Sequence, residues 1–253
     1  MSIRSELRTL VRLHPSITTN LISSANVDLL LDKAQIDLAL KGRALPKNEK
    51  VNVVASQREY VVSGLSPVLT DNDFLAIDLQ GGGVQFYDGS RWLADPEFCP
   101  KTREWLDREY PGWRSASATS TPLYWYLDTA EDAVSNLAVG LVDKPSASTT
   151  DGLWIHYLSR GKLMTGDTHY PWTGSTTQLN YLEPYDLLLV WWVLRYVFQV
   201  VEQDSEQALV YHNLYESGAL AMAQRLPLMQ HLAREGFTPP PYFHGLTTGR
   251  QRY

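Results

Sequence analysis

Over the first forty residues apolar side chains recur every three to four positions, the spacing that sets one face of an α-helix against a core. Residues 2–13 place Ile3, Leu7, Leu10 and Val11 on one face and Arg4, Arg8 and Arg12 on another. Residues 27–40 align Val27, Leu30, Leu31, Ala34 and Leu38, with Ser24 or Asn26 as the expected cap. The period returns near the other end. Glu183-Pro184 opens a third helix, proline suiting the first helical turn, which is expected to run to about Gln203. A fourth starts after Asp204-Ser205 and carries Ala208, Tyr211, Leu214, Tyr215 and Met222. Pro227 is expected to kink or interrupt it before a last turn near Glu235-Gly236.

Between these helix pairs the pattern changes. Residues 51–62, 74–87, 123–127, 137–142 and 153–158 are short runs rich in β-branched and aromatic side chains. Turn chemistry separates them: a hairpin turn at Gly81-Gly82-Gly83, then Asp88-Gly89, Asp143-Lys144-Pro145 and Asp151-Gly152. Leu137, Val139 and Leu141 alternate as a half-buried strand requires. A short helix is expected over residues 100–110, with Ser/Thr/Gly-rich loops at 115–121 and 161–180.

Two short N-terminal helices alone have too little to pack against, so the two helix pairs are read as halves of one module. The fold class is α+β. A helical bundle module spans residues 1–48 and 183–236, a large β-rich, sandwich-like insertion spans 49–182, and an extended arm spans 237–253. That arm has three consecutive prolines, two glycines and no acidic residue. Phe237, Tyr242, Phe243 and Tyr253 have nothing of their own to bury against. Two readings stay open: a disordered terminus, or a segment that orders on a neighbouring subunit.

Composition narrows the function. With 44% apolar and 20% charged residues the chain is ordinarily globular, and a net charge of −6 disfavours a protein that grips nucleic acid by its phosphates. Cys99 is the single cysteine, which excludes an intramolecular disulfide and suits a reducing compartment. The N-terminus has no continuous apolar core and is not read as a signal peptide. The run 187–201 is too short for a membrane span and contains Arg195 and Gln199, so it is read as a buried helix.

The sequence carries no recognisable catalytic or cofactor motif. The glycine cluster runs into a strand, without the Gly-Lys-Ser/Thr of a phosphate loop. The six histidines are scattered singly, so no metal is expected. Cys99 has no nucleophile signature, and Asp128, Glu131 and Asp132 form the best carboxylate group but read as a solvated turn. No catalytic residue and no cofactor are expected. Trp92, Trp105, Trp113, Trp125, Trp154 and Trp172 permit a rival reading, a carbohydrate- or receptor-binding virion protein. Tryptophan also fills cores and subunit interfaces, and the rival leaves the helices and arm without a role.

The order of motifs supplies a resemblance. SELRTLVRLH followed by NVDLLLDKAQIDLAL and the strand VNVVASQREYVVS resembles the N-terminal part of the head-to-tail adaptor proteins of tailed bacteriophages. The middle is similar in its Pro122–Tyr126 strand, its strand ending at Pro145, and Gly-Leu-x-Ile-x-Tyr from Gly152 to Tyr157. The segment from Leu182, LEPYDLLLVWWVLRYVF onward, resembles the family's closing helix pair. The resemblance covers residues 3–235 and departs in the Pro-rich arm and in the insert at 95–113.

What it implies is a non-enzymatic virion protein, synthesised in the host cytoplasm and located at the neck between head and tail. The protein would form a homo-oligomeric ring, expected to be dodecameric, below the portal protein. It would present a platform to tail or nozzle proteins and let genomic DNA pass through its lumen without sequence-specific binding. In that setting the arm, with Phe237, Tyr242, Phe243, Arg250, Arg252 and Tyr253, is expected to bind the portal or a neighbouring subunit.

Overall fold

The structure is a computed structural model that describes residues 3–17, 21–62, 74–130 and 137–234, with side chains in the last helix as far as residue 226. Among the described residues, five α-helices and two β-sheets make the protein α+β. The helices are α1 (Arg4–Arg12), α2 (Ser24–Lys41), α3 (Arg103–Glu109), α4 (Asp186–Tyr196) and α5 (Ser205–Arg234). The strands are β1 (Pro46–Val53), β2 (Glu59–Val61), β3 (Phe74–Ile77), β4 (Val84–Tyr87), β5 (Trp92–Leu93), β6 (Cys99–Pro100), β7 (Tyr124–Thr129), β8 (Leu137–Val142) and β9 (Thr149–Ser159). The chain divides into two units, Met1–Leu45 with Arg160–Tyr253, and Pro46–Ser159.

In the helical unit α4 is apolar on nearly every side and packs against α1, α2 and α5. Leu188, Leu189, Val190, Trp192, Val193 and Leu194 are all buried there. The cap of α2 is Ser23, whose hydroxyl accepts from the Asn26 backbone N–H, one residue before the earlier of the two expected caps. Helix 1 is shorter than its periodicity suggests. Its first N–H groups donate to the carbonyls of Asp167 and His169 in the segment after β9, which satisfies donors a helix start leaves free. Gln35, buried on α2, donates to the carbonyls of Arg160 and Lys162. Residues 160–182 thus pack with the helices, and Trp172 is buried in this unit rather than among the strands.

The expected third helix does not run evenly to Gln203. After Tyr196 it widens into a π-helical segment, Val197–Glu202, and Gln203 turns left-handed (φ 56°) to end it. Asp204 then caps α5, its carboxylate accepting from the N–H groups of Glu206 and Gln207. Pro227 does not interrupt α5, which continues as helix through it to Arg234, and Glu235-Gly236 lie outside the described residues. Proline removes one backbone donor there, and the helical turns on either side hold.

In the β unit one sheet has the order β1-β9-β4-β5, with β3 also on β9; the other has the order β2-β8-β7-β6. The run 51–62 breaks because the chain leaves one sheet at Val53, turns through Ser56 in the left-handed region, and enters the other at Glu59. Gly81-Gly82-Gly83 is not a hairpin turn. β3 and β4 both pair with β9, one after the other along the same strand, and His156 is bonded by its C=O to Asp78 N–H and by its N–H to Gly83 C=O. Asp151-Gly152 is not a turn either. It lies within β9 where the register with β1 shifts, and the Asp151 N–H donates to the Asn52 side chain. Asp88-Gly89 does join a hairpin, β4 to β5, with the Asp88 carboxylate accepting from the Ser90 and Arg91 N–H groups.

One apolar cluster takes Val51, Phe86, Leu153 and Ile155 from the first sheet and Tyr60, Trp125, Val139 and Leu141 from the second. A second cluster, Leu106, Trp113, Tyr126 and Val142, lies under α3. β8 is therefore covered on both faces, and not half-buried as its alternation implied. Gly140 makes this possible, because a Cβ there would sit 2.0 Å from the Tyr126 ring.

Candidate assembly site

The arm residues singled out from the sequence, Phe237, Tyr242, Phe243, Arg250, Arg252 and Tyr253, lie outside the described residues. The described surface offers three polar or aromatic constellations in their place.

The first is centred on Asp37 of α2. Its carboxylate accepts from Tyr215 Oη at 2.6 Å on α5 and from Trp192 Nε1 at 3.1 Å on α4, with Lys41 Nζ at 3.4 Å. Lys41 also pairs with Glu216 at 2.6 Å. Burial of Tyr215, followed by the Asp37 hydrogen bond, drives its hydroxyl far above the ordinary tyrosine range. One carboxylate thereby couples three helices. Beside it Arg195 lies over the Trp192 ring and 3.4 Å from His212 Nδ1. An open cleft of about 460 Å³ adjoins them, lined by Arg195, Gln199, Ser205, Ala208, Leu209 and His212. The π-helical segment borders this cleft through Gln199, and the start of α5 through Ser205 and Ala208.

The second constellation is the arginine row of α1. Arg8 makes a two-pronged pair with Asp28, at 2.9 and 2.7 Å, and also reaches Asp167; the Asp28 bond above all holds its guanidinium pKa up. Arg4 lies 3.4 Å from Asp28 and 3.5 Å from Asp32, and Arg12 donates to Ile22 C=O and Ser24 Oγ. These arginines bind α1 to α2 and are spent on the fold. Only the arginine half of this row was visible as a stripe in the sequence; its acids come from other segments.

The third is a row of half-buried rings on the first sheet. Tyr87 meets Trp92, Trp92 meets Trp154, and Trp154 meets His156, with centroids 5.4, 5.5 and 4.7 Å apart. Lys50 lies over both tryptophans, at 5.5 and 5.2 Å. Pairing across β4, β5 and β9 assembles this row, whereas Trp113 and Trp125 are core.

The candidates for chemistry stay apart. Asp128 pairs with Arg103 at 3.3 Å, while Glu131 and Asp132 lie outside the described residues. Burial, then Asp95, pushes the Cys99 thiol pKa up, against thiolate reactivity. His14 packs against Phe198 and Tyr211, and His169 accepts from the Gly166 N–H. Among the described residues no three His, Cys, Asp or Glu side chains could hold a metal, and no helix is long and apolar enough to cross a membrane.

The sequence model of the family described as SU10 adaptor protein matches residues 3–235, which takes in both units. The chain belongs to the SU10 adaptor protein family. No curated protein matches it at a significant level. As an SU10 adaptor protein it is a bacteriophage adaptor, a structural component of the virion. The match ends just before the Pro-rich arm, so the aromatic and arginine residues of 237–253 fall outside the family's shared part.

Proposed function

We propose that this SU10 adaptor protein works at the neck of the virion as a ring, a dodecamer, seated beneath the portal protein. The ring continues the DNA channel and gives tail or nozzle proteins their platform. The observation that carries this reading is the family match over residues 3–235. A net charge of −6 suits a channel through which DNA slides without sequence-specific binding. The protein is no enzyme in this reading and needs no cofactor.

The parts divide the work. Residues 1–48 and 183–236, together with the 160–182 segment that packs on them, act as a helical bundle module that packs side by side in the ring. The sandwich-like insertion, whose compact part is Pro46–Ser159, meets tail components, a role supported by its size and by the ring row of Tyr87, Trp92, Trp154 and His156. The arm, 237–253, clasps the portal through Phe237, Tyr242, Phe243 and Tyr253, with Arg250 and Arg252 supplying charge. The supporting feature is a composition that is aromatic, cationic and rich in proline.

Electron microscopy of portal-bearing heads mixed with the purified protein tests the reading. Added density at the portal vertex is expected, and protein that stays off the vertex at every concentration would count against it. A chain lacking 237–253 should fold and fail to join heads. Wild-type joining by that truncated chain removes the arm assignment.

A further inference from the structure

Among the described residues, ten of the thirteen exposed large apolar side chains belong to the helical unit. Apolar side chains scattered singly over a surface need no explanation, but stripes along a helix do. Two stripes are present. On α2, Leu29 (53% exposed), the partly exposed Ile36 and Leu40 (47%) recur at i, i+7 and i+11 and so share one face. This face is turned away from Leu30, Leu31, Ala34 and Leu38, which are buried. On α5, Leu209 (58%) and Leu220 (61%) are again eleven residues apart, while Val210 and Leu214, also exposed, lie about a quarter-turn or more round the helix from them. Its buried side is Ala208, Tyr215, Ala219 and Met222. At 1.5 Å rise per residue each stripe is about 16 Å long.

The stripes differ in charge. Of the exposed charged residues of α2, Lys33 lies beside this stripe and is cationic, while Lys41 is paired with Asp37 and Glu216 of its own chain. Those at the start of the α5 stripe are Glu202, Asp204 and Glu206, all anionic, and Arg225 is exposed beyond its other end. Each surface therefore supplies what the other lacks: leucines at matching spacing, and the opposite sign beside them. Both helices belong to the same unit, and on their inner flanks Lys41 of α2 already pairs with Glu216 of α5, so the outward stripes cannot close on each other within one chain.

We infer that the outer face of α2 in one copy docks on the outer face of α5 in the next, the occupant of each stripe being a second copy of this chain. The contact joins two different faces, so repeating it gives a head-to-tail series that can close into a ring. It rests on the ring of the proposed function and names the surfaces that build it.

Face-specific variants test the inference. One chain carries L29D and L40D, the other L209D and L220D. All four positions are exposed, so each variant should melt close to the wild type. In sedimentation velocity the wild-type chain should associate progressively with concentration. Each variant alone should associate at least tenfold more weakly, because two leucines lose their apolar contact. A one-to-one mixture leaves one intact α2 face and one intact α5 face, so it should form a dimer and stop there. A wild-type chain that stays monomeric at every concentration overturns the inference. So does a mixture that stays monomeric, or an α2 variant that still pairs with itself as an α5–α5 contact would allow. Loading onto portal-bearing heads separates this result from the adaptor reading. If wild type and both variants load equally, the faces are wrong and the adaptor reading stands. If wild type associates through these faces and never joins heads, the faces stand and the adaptor reading fails.

Discussion

Replacing Tyr215 by phenylalanine removes one hydroxyl from a carboxylate, Asp37, that ties three helices together. The ring of Tyr215 is fully buried, and its hydroxyl donates to Asp37 at 2.6 Å. A hydrogen bond to a charged acceptor is worth about 1.5–3 kcal/mol. Asp37 keeps 31% of its side chain exposed, so water can take the vacated position and the cost falls toward the lower part of that range. The expected loss is about 2 kcal/mol, a fall of roughly 4–8 °C in the melting midpoint for a domain of this size. Trp192 donates to the same carboxylate, so its fluorescence reports this unit during urea or thermal unfolding. Asp37→Ala should cost more than Tyr215→Phe, because it strands both the Trp192 N–H and the Tyr215 O–H. The Y215F/D37A double variant should be no less stable than D37A alone, because the phenylalanine removes the stranded hydroxyl. A Y215F protein within 0.5 kcal/mol of wild type, or additive losses in the double variant, would refute the idea that Asp37 is the hub of the helical unit.

Gly140→Ala should destabilise the β unit by about 1–3 kcal/mol, since the new methyl meets the Tyr126 ring in a filled cluster; denaturant titration of the purified variant is the check. Alkaline pH should unfold the protein. Burial raises the pKa of Tyr126 and Tyr215 in the folded state, and Glu59 and Asp37 add to the shift. Below pH 10 both hydroxyls are neutral folded or unfolded, and this stability is fully present. Above pH 10 only the unfolded chain ionises readily, so stability falls by about 1.4 kcal/mol per pH unit for each tyrosine. Ultraviolet titration of tyrosinate should show these two ionising only with unfolding; smooth ionisation of all fourteen tyrosines near pH 10 in folded protein would contradict it.

Much of the secondary structure was legible because local spacing alone sets which face of a helix or strand is apolar. Val27, Leu30, Leu31, Ala34 and Leu38 announced α2, and each is buried. The same local signal failed where a neighbour decided the outcome. Leu137, Val139 and Leu141 alternate as in a one-sided strand, but α3 folds back over the other face, a covering that no period within β8 can encode. Asp151-Gly152 has turn chemistry, yet β1 extends past it and absorbs the residues as a bulge. The π-helical segment was hidden for a related reason: a run as apolar as LLLVWWVLRYVFQVV carries no phase from which a change of helical register could be read.

For function, the order of short motifs along the chain was enough to indicate the adaptor family, since that order is a property of the one-dimensional sequence. The chain by itself also determined its helices, most of its strands and the character of its arm. Tertiary structure alone decided what the charges and rings do. Arg4 and Arg8 read only as a stripe on a second face of the helix until Asp28, Asp32 and Asp167 close on them, and Lys50 joins Trp92 and Trp154 only through strand pairing. The exposed leucines of α2 and α5 likewise looked like any helix leucine. Whether an apolar side chain is core or surface depends on what lies against it, and that is fixed by contacts between segments far apart in sequence.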